Sequence, residues 1–326
     1  MKKTIIMDKT TQRELSNDFE KDLISGKLAP LLKHVKKNKN IFILEIRDDY
    51  INIYYRGGMV LRVIKLKDNY KFYWDKKYSI SGDIPSIVKK NTVTNNIECE
   101  EWINDIHLLT ECMDEWFVKH PKKEKFIQQE IVINKKLPNY IITDFEYQKG
   151  NTARFDLMGI KNNANNPMLS FIELKQGYNS LKTSKTKKGK QISGLLKHLQ
   201  DVVNEINSKN SSISDEIRQA EKLIEQKSRL GLINNKFKSK INKNKFEVLF
   251  VLSDYQTQGS TRFSVNLYNE VEKVKKYLIT VPKNINFDVK IIFLKSKNNG
   301  DKTIVEDNSK IIDYIDFEKE MKKIYN

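Results

Sequence analysis

Two short stretches hold the residue types that handle phosphates and divalent ions: Arg154-Phe155-Asp156-Leu157-Met158-Gly159-Ile160 and Phe171-Ile172-Glu173-Leu174-Lys175. Residues two apart on a strand project to one face, so Glu173 and Lys175 emerge side by side at the end of an apolar run. If the segment bearing Asp156 pairs with that strand, a second carboxylate joins them. Two hard oxygen donors suit Mg²⁺, and the ammonium suits a phosphate. Taken singly, Glu-x-Lys is abundant, and a charged pair ending a strand is usually a solvated edge. Its company gives it weight: an acid in the preceding strand, acids on the helix before, and a basic helix and buried strand after. Other metal chemistry is poorly supplied. Cys99 and Cys112 are too few for a four-thiolate zinc site, and His34, His107, His120 and His198 lack ligand spacing.

The elements that must position these groups follow from periodicity. Glu14, Leu15, Phe19, Leu23 and Ile24 recur at helical spacing in a lead-in that reaches to about residue 40. From Ile41 to Tyr55 β-branched and aromatic residues read as two strands turned at Asp48-Asp49. Arg56-Gly57-Gly58-Met59 reads as a second hairpin turn, its paired glycines supplying positive φ. Val60 to Leu66 and Tyr70 to Trp74 extend a β-meander. Cys99 to Val118 has the apolar spacing of one amphipathic helix, and Lys122 to Asn134 reads as another, opening on Pro121. Strands are expected over Tyr140–Tyr147, Ala153–Ile160 and Leu169–Leu174. Helices are expected over about Gln191–Ile206 and Ser214–Leu230, then an apolar run, Phe246 to Leu252, as a strand buried on both faces. A helix at Val265–Tyr277, a strand at Val289–Leu294 and a C-terminal helix complete an α/β (α+β) chain. Its expected division is a β-rich module at 1–98 and a second domain at 99–326.

In this order and spacing the chain resembles the PD-(D/E)XK nuclease superfamily over roughly residues 121 to 255. The match rests on Glu124 or Glu130 on the first helix, Asp156 in the second strand, and Glu173-Leu174-Lys175 ending the third. No Pro precedes Asp156, which is frequent among the resembling families. The resemblance implies a restriction-endonuclease-like core, a central mixed sheet flanked by helices, after the β-rich N-terminal module. It implies a Mg²⁺-dependent nuclease, Mn²⁺ substituting, with Asp156, Glu173 and the Leu174 carbonyl as ligands. Lys175 would orient or help deprotonate the attacking water, or stabilise phosphate charge. Glu124 ranks ahead of Glu130 as the helix carboxylate, because it lies on the stripe of Ile127, Gln128 and Ile131. Gln191 and His198 fall on the helix where some branches place a Gln or His near the metal.

Composition fits a polyanion partner. Lys and Arg total 59 against 42 Asp and Glu, a formal charge of +17 over 326 residues with 39% hydrophobic content. Lys182, Lys185, Lys187, Lys188, Lys190 and Lys197 follow the candidate site with no acid among them. A second tract holds Lys227, Arg229, Lys236, Lys238, Lys240, Lys243 and Lys245. Such runs are commonly solvated loops, but here they would track phosphates without reading bases. Tyr50, Tyr54, Tyr55, Tyr70, Phe72, Tyr73 and Trp74 are base-stacking candidates, although packing is the commoner role of strand aromatics. The expected partner is DNA, RNA being left open, with a homodimer or a protein partner through the N-terminal module as further options. No stretch reaches the roughly 20 apolar residues of a membrane span and no signal-peptide core builds, so a cytoplasmic location is expected. The functional expectation is a DNA endonuclease of defence, restriction or repair. The alternatives are a non-catalytic nucleic-acid-binding protein on the same fold, or a nuclease subunit active only with a partner.

Overall fold

Alternating apolar residues build the first sheet, β1 (Phe42–Ile46), β2 (Tyr50–Tyr55), β3 (Gly58–Lys65), β4 (Tyr70–Tyr73) and β5 (Thr92–Val93), each antiparallel to its sequence neighbour. This is a computed structural model, and it describes residues 13–149, 153–162, 166–181, 193–207, 213–233, 240–253, 261–294, 296–299, 302–305 and 310–313. The protein is mixed α+β, with two larger sheets flanked by helices. Two units separate: Met1–Gln129 with Glu221–Phe237, and Glu130–Ala220 with Lys238–Asn326.

In the first unit, one sheet face sends Leu44, Ile46, Ile51, Ile53, Val63, Phe72 and Val93 into a core closed, together with Leu223 and Leu230, by four helices. These are α1 (Asn17–Ile24), α2 (Ala29–Lys37), α3 (Asn96–Asn104) and α4 (Ile106–Lys119). Ile24 is an exception to the lead-in's apolar stripe, being exposed. The single helix expected over 99–118 breaks at Asp105, whose N–H reaches back to the Glu101 and Ile103 carbonyls. Asn95 starts α3 by accepting from the Glu98 N–H at 3.0 Å, while Glu98 accepts from the Thr94 N–H at 2.6 Å. Because Cys99, Trp102, Leu109, Met113 and Phe117 pack under the first sheet, the domain boundary expected at 98/99 differs from the observed division. The β2–β3 turn also differs in detail. Its positive φ angles belong to Arg56 (48°) and Gly57 (75°), the two central residues. Gly58 is needed for space, since a Cβ there would lie 2.7 Å from Tyr78 Oη and 2.8 Å from Met113 Cε.

α5 (Lys123–Ile133) spans the boundary between units. Strands β6 (Tyr140–Lys149), β7 (Ala153–Lys161) and β8 (Met168–Gln176) follow, then α6 (Leu195–Ile206), α7 (Ile213–Arg229) and β9 (Phe246–Ser253). After them come α8 (Thr261–Leu278), β10 (Phe287–Leu294), β11 (Ser296–Asn299), β12 (Lys302–Val305) and β13 (Lys310–Asp313). The second sheet runs β13-β10-β9-β8-β7-β6. The β6–β7 and β7–β8 pairings are antiparallel, whereas β8–β9 and β9–β10 are parallel. β11 and β12 pair separately. Of the expected C-terminal helix, residues 310–313 are strand and 314–326 lie outside the described residues.

Every residue of β9 is buried, as an interior parallel strand requires, but the run is not wholly apolar. Glu247 is fully buried on it and accepts from Tyr140 Oη at 2.7 Å, Ser170 Oγ at 3.2 Å and Lys161 Nζ at 2.5 Å. A buried carboxylate so supplied avoids the desolvation penalty of an unmet charge. Among the described residues no helix is long and apolar enough to cross a membrane.

Candidate active site

The β7–β8 ladder runs from Lys161↔Met168 to Leu157↔Ile172, and one register step further would set Asp156 opposite Glu173. There the backbone pairing gives way to a side chain. Asp156 Oδ2 accepts the Leu174 N–H at 2.7 Å, which pins its carboxylate beside the Glu173-Leu174-Lys175 segment. Across the sheet, β9 runs parallel to β8 with Glu173 beside Phe250 and Lys175 beside Leu252. The Glu-x-Lys side chains thus leave an apolar sheet.

Glu173 and Lys175 share a face through their two-residue spacing, and Lys175 Nζ donates to Glu173 Oε1 at 2.5 Å. Both side chains are buried, 7% and 8% exposed. Low surrounding dielectric strengthens that contact and makes each charge dependent on the other. His198, on α6, brings Nδ1 to 3.1 Å from Glu173 Oε1, without the alignment of a hydrogen bond. Burial, joined by the charges of Lys175 and Lys197, pushes its imidazole down to about 3. His198 is therefore neutral near pH 7.

Asp156, Glu173, Lys175 and the Leu174 backbone are brought together. The other expected residues divide. Glu124 sits in the first turn of α5 and belongs to the first unit, with Ile127, Gln128 and Ile131 buried along that helix. Glu130 Oε2 accepts from Asn134 Nδ2 at 2.7 Å. Gln191 and Lys182, Lys185, Lys187, Lys188 and Lys190 lie outside the described residues. Lys197 pairs with Asp201, one helical turn on, so its charge is partly spent within α6.

The second basic tract is corrected more strongly, because acids distant in sequence meet it. Lys227 is buried on Glu45 at 2.7 Å, Arg229 binds Glu20 at 2.5 Å, and Lys245 meets Asp288 at 2.8 Å. Lys240 and Lys243 are exposed, and Lys236 and Lys238 lie outside the described residues.

Two acids passed over in the sequence reading lie near Asp156 on β6. Asp144 is fully buried opposite Met158, and Glu146 adopts φ +56° with its carboxylate 3.5 Å from Arg154. Their signal was the alternation Asp144-Phe145-Glu146-Tyr147 in strand text.

Among the described residues no three His, Cys, Asp or Glu side chains form a group able to hold a metal ion. The available hard donors are the Asp156 and Glu173 carboxylates and the Leu174 carbonyl. That set fits Mg²⁺, which commonly takes one or two carboxylates and completes its octahedron with water and phosphate oxygens. The Lys175 ammonium against Glu173 is itself a cation standing where this carboxylate would meet one.

Compared with protein-family models, curated proteins and solved structures, the chain matches none.

Proposed function

We propose that the protein is a Mg²⁺-dependent nuclease that hydrolyses DNA phosphodiesters, with a restriction-endonuclease-like core from α5 to β9. The observation that carries this reading is the meeting of Asp156 with Glu173-Leu174-Lys175 where β7 and β8 stop pairing. The order α5-β6-β7-β8-α6-β9, with β8 and β9 parallel, supports it. So does the formal charge of +17, which favours a polyanion.

In this reading Asp156, Glu173 and the Leu174 carbonyl hold the ion. Bound Mg²⁺ supplies Lewis acidity toward a phosphoryl oxygen and lowers the pKa of a coordinated water. The Leu174 N–H fixes the Asp156 carboxylate, so its oxygens need no reorganisation during the reaction. Lys175 exchanges part of its contact with Glu173 for a phosphate oxygen or the attacking water. Neutral His198, on α6, flanks the Glu173 carboxylate without adding charge. An endonuclease of defence, restriction or repair is the setting proposed for such chemistry.

The test incubates wild type, Asp156→Ala and Lys175→Met with linear, supercoiled and single-stranded DNA and with RNA, in Mg²⁺, Mn²⁺ or chelator. Metal-dependent products from wild type alone are expected, with losses of at least ~10²-fold in both variants. Equal products from all three proteins would defeat the assignment.

The burial of the Glu173–Lys175 pair favours a second reading, in which it is a structural ion pair in a non-catalytic nucleic-acid-binding protein. That reading expects unchanged binding by Asp156→Ala and no metal-dependent product from wild type.

A further inference from the structure

The aromatic residues of the first sheet divide by burial. Tyr54, Tyr70, Phe72 and Trp74 are buried, which gives them to packing. Tyr73 is 43% exposed, and Tyr50 is half-buried. The registers place both on the sheet face opposite the helix-packed core: Asn52 pairs with Arg62, Tyr50 with Ile64, and Arg62 with Tyr73.

This face is closed at β1, where Glu45 is buried against Lys227, and opens toward β4, where Lys71 and Tyr73 are exposed. Across its open part Tyr50, Arg62 and Tyr73 form a diagonal over three strands. Adjacent strands lie about 4.8 Å apart, so the two rings straddle Arg62 across roughly 10 Å. Arg62 is fixed in place. Its Nε donates to Asn52 Oδ1 at 3.0 Å, and its guanidinium lies 5.1 Å from the Tyr50 ring centroid. Among the described residues that the registers assign to this face, the one carboxylate is Glu45, already neutralised at the closed end.

An open sheet surface with rings, two cations and no accessible acid has one chemistry that uses all of it. Unpaired bases stack on rings and guanidinium planes, while phosphates meet the cations. A duplex keeps its bases stacked inside and offers nothing to Tyr73. An acidic protein would use Arg62 and Lys71 and leave the exposed ring without a role.

We propose that Tyr50, Arg62, Lys71 and Tyr73 form a stacking platform for single-stranded nucleic acid on the first unit. The platform needs neither Asp156 nor a metal, so it stands or falls apart from the nuclease reading.

The experiment is fluorescence anisotropy of the full chain in EDTA. The probes are a labelled 20-nucleotide deoxy strand, its ribo counterpart and the 20-base-pair duplex. Single strands bind more tightly than duplex, and the tighter of the two identifies the sugar preferred. Tyr73→Ala weakens single-strand binding about 5- to 150-fold, the loss of one stacked base, and leaves duplex binding within about twofold. Tyr73→Phe binds like wild type. Lys71→Ala lowers the slope of log K against log salt by about 0.7 for the strand. Wild-type single-strand affinity in Tyr73→Ala overturns the platform, as does an equal loss for strand and duplex. Asp156→Ala, run alongside, binds like wild type on this platform; if it binds normally but cleaves nothing while Tyr73→Ala binds normally, the platform fails and the nuclease stands.

Discussion

The buried charges of the first unit allow a sharp test, because one acid there serves several bases. Lys227 Nζ donates to Glu45 at 2.7 Å with both side chains at most 5% exposed, and Arg47 lies 3.8 Å from the same carboxylate. Burial holds the Lys227 ammonium below its ordinary value of 10.5, Glu45 pulls the other way, and the Arg47 and Arg13 charges add to the depression. Lys227→Met removes one partner of this buried pair and leaves Glu45 only Arg47 at 3.8 Å, so it costs about 3 kcal/mol in wild type. Glu45→Gln is worse: it leaves Lys227 among arginines with no carboxylate, which depresses its ammonium further. Stranding that buried charge costs about 3–5 kcal/mol at pH 7. In Glu45→Gln the unfolded chain binds more protons than the folded one between the depressed folded value and 10.5, so the variant gains stability as pH rises toward 10.5.

The expected signature is a change of sign: Lys227→Met is destabilising alone but stabilising in the Glu45→Gln background. Urea unfolding followed by tryptophan fluorescence reads the right unit, since Trp74, Trp102 and Trp116 all belong to it. If Lys227→Met shifts the midpoint equally in both backgrounds, Lys227 and Glu45 are not coupled and the account of this core is wrong.

Other consequences are simpler to measure. Gly58→Ala forces a Cβ within 2.9 Å of Tyr78, Met113 and Phe117, and overpacking of this kind costs about 1–3 kcal/mol by urea midpoint. Glu20 is held below its ordinary 4.5 chiefly by its hydrogen bond from Arg229, so its contribution is complete above pH 4.5 and fades as pH falls through the folded value. With Arg229 half exposed, Glu20→Gln costs about 1 kcal/mol at pH 7, and that difference shrinks on acidification; a constant difference from pH 7 to 3 counts against the pair. Cys99, fully buried with its thiol pushed up to about 12, reacts with a thiol reagent only as fast as the unit unfolds, whereas half-buried Cys112 labels faster; equal rates would contradict the packing of α3.

Local periodicity made the β-meander and the β6–β8 strands legible. The Glu173–Lys175 contact was legible too, because two-residue spacing settles the face on any strand. The break at Asp105 was hidden, since apolar residues keep helical spacing on both sides of it. The return of Glu221–Phe237 to the first unit carried no local signal: Lys227 and Arg229 read as a solvated basic run because Glu45 and Glu20 lie some 180 and 210 residues away. Glu247 was overlooked for the same reason, its three donors coming from three other strands. β11 to β13 escaped because Ser296–Asn299 and Lys302–Val305 do not alternate apolar with polar.

These pairings alter what a charge of +17 means. A lysine bound to a buried carboxylate adds little to the field that draws in a polyanion, and releases few counterions when one arrives. Lys161, Lys175 and Lys227 are engaged this way, and Lys197 pairs with partly exposed Asp201 on its own helix. The field available to phosphate then rests on cations at open positions, such as Lys71, Lys240 and Lys243 among the described residues. Lys175 is the exception that links the two populations. Its buried contact with Glu173 means that a phosphate must compete with a carboxylate for it, and a divalent ion on Glu173 would shift that competition toward the phosphate. If the proposed nuclease reading holds, substrate and metal binding are mutually reinforcing at this site, with the same coupling factor whichever is titrated first.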